Sequence, residues 1–184
     1  KYQSETNMKV FNKDALEYDL KDISRSKDVI IVGNLPFNIS SQLLINWISY
    51  DDWPPFYKKM YLMFQKELGK RISSKINNKS YGKLSVLAQS RCSIKEVIEA
   101  PSNIFFPKPK VDGIVLEFTP IDKFNDVDIG KLKNILKYAF ENRRKKIKNS
   151  LSYYSSYFDN WETVKDLRPE NIEVEKYCSL AKKI

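Results

Sequence analysis

The sequence predicts an α/β unit followed by an all-helical one, with the change of character near residue 120. Three observations carry this. In the first two thirds, apolar runs rich in β-branched residues, such as Val29-Ile30-Ile31-Val32, alternate with helical patterns. Beyond Pro120 the apolar residues recur at helical spacing. Finally, a 184-residue chain with 42% hydrophobic residues can bury one full core, with a small second one. The expected division is 1–120 and 121–184.

The elements follow in order. Residues 8–11 form a short strand candidate ended by Asn12-Lys13-Asp14-Ala15. Residues 29–32 are a continuous β-branched run, the pattern of a parallel strand covered on both faces. Ser40 is placed to cap a helix whose stripe is Leu43, Leu44, Trp47 and Ile48, and Asp51-Asp52-Trp53-Pro54-Pro55 breaks it. The next strand, 59–65, alternates Met60, Leu62 and Phe64 with Tyr61 and Met63. A basic helix or loop covers 66–79. Strands are then expected over 85–94 and 112–119, separated by a proline-punctuated loop from Ala100 to Lys110. Asp128 is placed to cap a helix carrying Leu132, Ile135, Leu136, Ala139 and Phe140 on one face. Residues 143–151 continue or restart it, and helical patterns close the chain over 161–167 and 174–184.

Charge narrows the partner class. The net charge is +9, and it is unevenly placed. Eight Lys/Arg lie between 58 and 83 against Glu67 alone, and eight more between 131 and 150 against Glu141 alone. Two basic segments on a mildly acidic body suit phosphate binding. The chain has no histidine, which excludes His-based triads, His general bases and His metal sites. Cys92 and Cys178 have no metal-like spacing and sit in apolar patterns, as buried thiols of a reducing compartment do. No stretch approaches transmembrane length, and Lys1-Tyr2-Gln3-Ser4 carries no signal peptide.

The strand at 29–32 leads into Gly33-Asn34-Leu35-Pro36-Phe37. Asn34 offers a side-chain carbonyl, the proline-containing turn a backbone carbonyl, and Phe37 a stacking face. That set suits methyl transfer onto the exocyclic amine of a flat heterocycle. Two acceptors favour the pyramidal, partly positive nitrogen of the transition state over the planar amine of the ground state. An ordinary strand-to-helix turn with a capping Asn fits the same four residues.

Further motifs appear in order: Gln65-Lys66-Glu67, Tyr81-Gly82-Lys83-Leu84-Ser85-Val86, Phe106-Pro107-Lys108-Pro109-Lys110-Val111-Asp112, Arg143-Arg144-Lys145-Lys146-Ile147-Lys148-Asn149-Ser150-Leu151 and Leu167-Arg168-Pro169-Glu170-Asn171-Ile172. With the turn at Asn34, they make the whole chain resemble the S-adenosylmethionine-dependent small-subunit rRNA adenine N6,N6-dimethyltransferases, the kasugamycin-sensitivity family. The resemblance implies a Rossmann-like methyltransferase sheet without its N-terminal strands and a small helical rRNA-recognition domain. It implies dimethylation of two adjacent adenosines near the 3′ end of small-subunit rRNA, on the immature 30S particle, by a cytoplasmic protein that is monomeric at full length. Asn34, Leu35, Pro36 and Phe37 match the catalytic motif, with Phe in place of the commoner Tyr. Asp14 and Asn34 match positions that hold S-adenosyl-L-methionine, although Asp14 also reads as a plain turn residue. No metal is implied.

The family's Gln-x-Phe-Leu segment and Gly-x-Gly loop have no counterpart here. The chain is therefore expected to be a fragment of the enzyme, inactive by itself, with an exposed apolar edge at 29–32. Lys66, Lys70, Arg71 and Lys75, Lys108 and Lys110, and Arg143, Arg144, Lys145, Lys146 and Lys148 are the candidate RNA contacts. Arg143 or Arg144 has a second reading, as a tie between the two domains through a buried acidic partner. Other readings of the whole are a macrolide-resistance-type large-subunit rRNA methyltransferase, or a non-catalytic assembly or mitochondrial transcription factor of the same fold.

Overall fold

The computed structural model describes residues 8–22 and 28–184, so the N-terminal tetrapeptide lies outside the described residues. Strands β1 (Val29–Asn34), β2 (Tyr57–Gln65), β3 (Cys92–Ala100) and β4 (Gly113–Pro120) form one sheet in the order β1-β2-β4-β3. β1 runs parallel to β2, whereas β4 is antiparallel to both of its neighbours. Helices α1 (Ser40–Trp47), α2 (Lys66–Ser73) and α3 (Lys83–Arg91) belong to this half. α4 (Ile129–Glu141), α5 (Trp161–Val164) and α6 (Val174–Lys183) follow, joined by short 3-10 turns.

Strand alternation decides which face is buried. Met60, Leu62 and Phe64 of β2 pair with Phe118, Leu116 and Ile114 of β4, and all six are inaccessible to solvent. α2 packs on this face so closely that the Cα of Gly69 sits above Ile114. The opposite face carries Tyr61, Met63, Val115 and Glu117, all half-buried. There the Tyr61 hydroxyl donates to Glu117 at 2.6 Å and Lys59 pairs with it at 3.0 Å. β1 is an edge strand among the described residues. Its Ile31 faces the core, while Ile30 and Val32 are 54% and 78% exposed, so the strand is covered on one face rather than two.

The structure departs from the sequence expectations in four further places. Residues 8–11 form no strand; Met8, Val10 and Phe11 are exposed, and the Phe11 ring stacks on Tyr18 at 6.0 Å. Ile39, not Ser40, occupies the cap of α1; Ser40 is the first helical residue, and its hydroxyl donates to the Phe37 carbonyl at 3.1 Å. Residues 83–91 are helical, and the strand begins only at Cys92. α3 buries Val86, Leu87, Ala88 and Ser90 on nearly all sides, which removes the periodicity that marks a half-exposed helix. Past Glu141 the basic run turns through a 3-10 segment, Ile147–Asn149, instead of continuing α4. The Asp128 cap holds, its carboxylate accepting from Gly130 N at 2.8 Å and Lys131 N at 3.0 Å.

Apolar packing runs without interruption across residue 120. Val86 and Tyr81 share a core with Leu132, Ile135, Ile172 and Tyr177. Hydrogen bonds cross between the halves: the Tyr81 hydroxyl donates to Ile172 O at 3.1 Å, and Trp53 Nε1 to Ile121 O at 2.8 Å. The buried Arg91 guanidinium donates to Val127 O at 3.2 Å and lies over the Trp53 ring. Both cysteines are buried free thiols, and burial raises both pKa values, that of Cys178 to about 12.

Candidate active site

Asn34 ends β1 at the carboxyl end of the parallel pair, the usual ligand-binding end of such sheets. It lies in register with Met63, on the half-open face. Gly33 makes the turn possible: a Cβ there would sit 2.7 Å from Leu35 Cδ2 and 3.1 Å from Leu62 Cδ2. The chain can therefore fold Leu35 back over the strand, where it is 8% exposed, and send the turn outward. Pro36 O accepts from Ile39 N at 3.1 Å and Phe37 O from the Ser40 hydroxyl, which locks the turn onto α1.

Asn34, Leu35, Pro36, Phe37 and Met63 line a groove of about 250 Å³, closed on its far side by Phe105, Phe106, Pro107 and Pro109. The Asn34 amide is exposed and makes no hydrogen bond with any described residue. Phe106 is wholly exposed at the rim. A free carboxamide between aromatic faces is suited to a flat ring with a polar edge. Phe105 and Phe106 were not among the sequence-derived candidates; the signal was the aromatic pair beside Pro107-Lys108-Pro109.

Asp14 is not part of this lining. Its carboxylate accepts from Leu16 N at 2.8 Å and its carbonyl from Tyr18 N at 2.9 Å, a side-chain-braced turn. Asp14 is exposed, while Leu16 and Leu20 anchor its segment to the core and Lys21 pairs with Asp52 at 3.4 Å.

The basic candidates divide into paired and unpaired groups. On α2, Lys66 pairs with Glu99 at 2.7 Å, and Lys70 with Glu96 at 2.6 Å and Glu99 at 3.1 Å, both acids coming from β3. These contacts lower the pKa of both glutamates and raise that of Lys70. Arg71 pairs with Glu67 one turn earlier. Lys148 and Lys146 converge on Asp166 at 2.8 and 2.9 Å and hold its carboxyl at about 2. Arg143 is a tie: it donates to Lys79 O and to Tyr81 O (2.8 Å), with its Nε 3.7 Å from the part-buried Glu170. Lys75, Lys108, Lys110, Arg144 and Lys145 are exposed and form no ion pair among the described residues. Lys110 and Lys66 flank one shallow pocket beside the end of β2.

The ribosomal RNA adenine dimethylase family matches this chain over residues 1–184. The chain belongs to that family. Within it, the chain is 36% identical over 183 residues to ribosomal RNA small subunit methyltransferase A of Blochmanniella floridana, covering 94% of this chain and 65% of the relative. The protein of the same name from Pelagibacter ubique is 35% identical, with 99% of this chain and 71% of the relative covered. The chain thus spans between about half and about two thirds of the length of most of the curated relatives that it matches. A dimethyladenosine transferase from Plasmodium falciparum shares the fold at a TM-score of 0.80 and 22% identity, covering 97% of this chain and 73% of that one. The 23S rRNA methyltransferase ErmE superposes at a TM-score of 0.55 and 16% identity, covering 95% and 72%. The fold is accordingly the Rossmann-like α/β fold of the adenine dimethylases. Among the described residues no helix is long and apolar enough to cross a membrane, and no group of three acidic or cysteine side chains is placed to hold a metal.

Proposed function

We propose that this chain is the major part of an S-adenosylmethionine-dependent enzyme that dimethylates N6 of two adjacent adenosines near the 3′ end of small-subunit rRNA, in the cytoplasm during ribosome assembly. The observation that carries the reading is the Asn34–Phe37 turn: a carboxamide unpartnered among the described residues, at the carboxyl end of β1 and facing an aromatic groove, in a chain of the adenine dimethylase family. The two curated relatives described above are named for the small subunit, which favours that substrate over the large-subunit one.

Each residue has a separate part. Asn34 Oδ1 accepts one hydrogen of the target amine. The carbonyls of Pro36 and Phe37 are already engaged by Ile39 and Ser40, so the Leu35 carbonyl is the backbone acceptor for the other. Both acceptors grow stronger partners as the amine turns cationic, which lowers the barrier. Phe37 stacks on the adenine, and the Phe105–Pro109 side shields the ring from water. The cofactor fits the residues present only in part: Asn34 is free at the groove, and Asp14 is braced in a turn outside it. When bound, S-adenosylmethionine supplies the methyl group. Arg144, Lys145, Lys108 and Lys110, unpaired and exposed, are the phosphate contacts; Lys66, Lys70, Lys146 and Lys148 are satisfied by carboxylates.

The test is dimethyladenosine formation on immature small subunits by the full-length protein, read by mass spectrometry. Asn34→Ala is expected to slow it by about 10²-fold or more, as deleting one preorganised polar contact to a developing charge does. Phe37→Tyr should act like wild type, whereas Phe37→Ala should weaken base stacking by about 1–3 kcal/mol. Normal dimethylation by Asn34→Ala would overturn the reading.

A further inference from the structure

A second concavity, about 720 Å³, opens on the helical side of the catalytic turn. Its walls are the first turn of α1, the start of α2, the loop before α3 and the end of α4. Its polar lining is Ser41, Arg71, Lys79, Ser80, Lys83 and Arg143, over an apolar floor that includes Leu87 and Phe140. Four cations face one acid there, Glu67, which is 87% exposed and already holds Arg71. Lys79 and Lys83 are exposed and form no ion pair among the described residues, unlike both lysines of α2, Lys66 and Lys70.

The loop that carries these two lysines is fixed from three directions. Arg143 fastens the carbonyls of Lys79 and Tyr81. The Ser85 hydroxyl donates to Arg71 O at 2.6 Å and accepts from Gly82 N at 2.9 Å, which ties the start of α3 to α2. Asn77, at φ 68°, donates its N–H to Glu170 O at 3.0 Å and its side chain accepts from Asn171. Two flexible cations on a rigid base, above an apolar floor, match a sugar–phosphate strand: compact ammonium charges hold phosphates without reading sequence.

We propose that this cleft binds the phosphodiester backbone of the RNA strand whose target base enters the Asn34 groove, with Lys79 and Lys83 as the phosphate contacts. The inference rests on the function proposed above and adds a site to it. The cleft adjoins the groove. Phe37 lines the groove and Ser41 the cleft, and four residues of chain span at most about 14 Å, so the near wall of the cleft is within reach of a strand whose base is in the groove. The strand therefore crosses the carboxyl edge of the sheet, its base on one side of the turn and its backbone on the other.

The test is the salt dependence of binding between the full-length protein and a labelled RNA bearing the 3′ end of small-subunit rRNA. Lys79→Gln/Lys83→Gln should flatten the log–log slope by about 1.4, at about 0.7 per single-strand phosphate, and weaken binding about 25-fold at 0.1 M salt. Its melting temperature should not change, because both side chains are exposed. The control, Lys95→Gln/Lys176→Gln, removes the same charge from β3 and α6, outside both basic segments, and should leave slope and affinity unaltered. An unchanged slope in the first pair, or an equal fall in both pairs, overturns the cleft. So does competition by poly-glutamate as effective as that by unlabelled RNA, which would make it a site for acidic peptide. The groove is judged separately, by dimethylation in Asn34→Ala. A defect there with an unchanged slope in Lys79→Gln/Lys83→Gln removes the cleft and leaves the groove standing.

Discussion

Gly69→Ala is the sharpest test of how α2 is seated. Alanine at an unconstrained helical position gains about 1 kcal/mol over glycine. At position 69, however, the new Cβ would lie 2.1 Å from Ile114 Cγ2, with Ile114 Cβ at 3.6 Å and Leu116 Cδ1 at 3.9 Å. Carbon–carbon contacts settle at about 3.5–4.0 Å, so something must move by about 1.5 Å. Ile114 is fully buried and paired on both sides within the sheet, so the strand cannot yield. Either Ile114 leaves its rotamer or α2 lifts off β4. A contact as short as 2.1 Å falls at the upper end of the about 1–3 kcal/mol that overpacking costs, about 2–3 kcal/mol, so after the propensity gain of about 1 kcal/mol the net loss is about 1–2 kcal/mol. For a chain of this length the melting temperature should fall by about 2–8 °C. Gly130→Ala supplies the comparison: its nearest neighbour is the Asp128 carboxylate oxygen at 3.2 Å, which caps α4 and needs to shift only slightly, so its stability should change by less than about 1 kcal/mol. Both are read by calorimetry and urea titration. A Gly69→Ala protein as stable as wild type would refute the seating of α2 on Ile114, and with it one wall of the basic cleft.

Two further outcomes follow from the ion pairs. Arg143→Met removes two bonds to backbone carbonyls and the cation 3.7 Å from Glu170 Oε2, a buried oxygen with no hydrogen bond among the described residues, so it should cost about 1–3 kcal/mol and lower the melting temperature, whereas Arg144→Met should leave it unchanged. Equal melting temperatures would return Arg143 to the surface. Asp166 is held at about 2 against an ordinary 3.8 by Lys148 and Lys146. Its folded pKa is depressed, so the tie is intact above the ordinary value and is lost as pH falls from about 4 through about 2. Carboxyl NMR should place its midpoint there, returning to the ordinary value in Lys146→Gln/Lys148→Gln; a native midpoint of 3.8 would dissolve the tie.

Elements with one wet face were legible in the sequence. Alternation in β2, the stripe on α4 and the Asp128 cap all survive in three dimensions because one side of each meets solvent. α3 was misread as strand because it is buried nearly all round, and a helix without a polar face carries no 3.6-residue signal. Gly82 followed three residues later by Ser85, with Ala88 and Gln89 beyond, was the local cue to a helix start. The basic clusters failed for another reason. Counting charge along the chain cannot see Glu96 and Glu99 arriving from β3, or Asp166 from beyond α5, and these acids decide which lysines are spent. Lys79 and Lys83 were passed over because the turns between them break any helical spacing, so nothing local marks them as neighbours on one cleft. The Asn34 turn was readable because its features are local: a strand, a glycine, a proline and a ring.

One consequence of the edge position of β1 reaches beyond packing. Among the described residues, Asn34 is braced by a ladder on one side only, to β2, and by the turn onto α1. A half-laddered strand end samples openings that a fully flanked one does not, so its amides exchange more readily. Any strand laid along Ile30 and Val32 would halve that freedom and, through two residues of backbone, quiet the carboxamide itself. Occupancy of the open edge and readiness of the turn are thus mechanically linked, and slower amide exchange at Gly33 and Asn34 would report both at once.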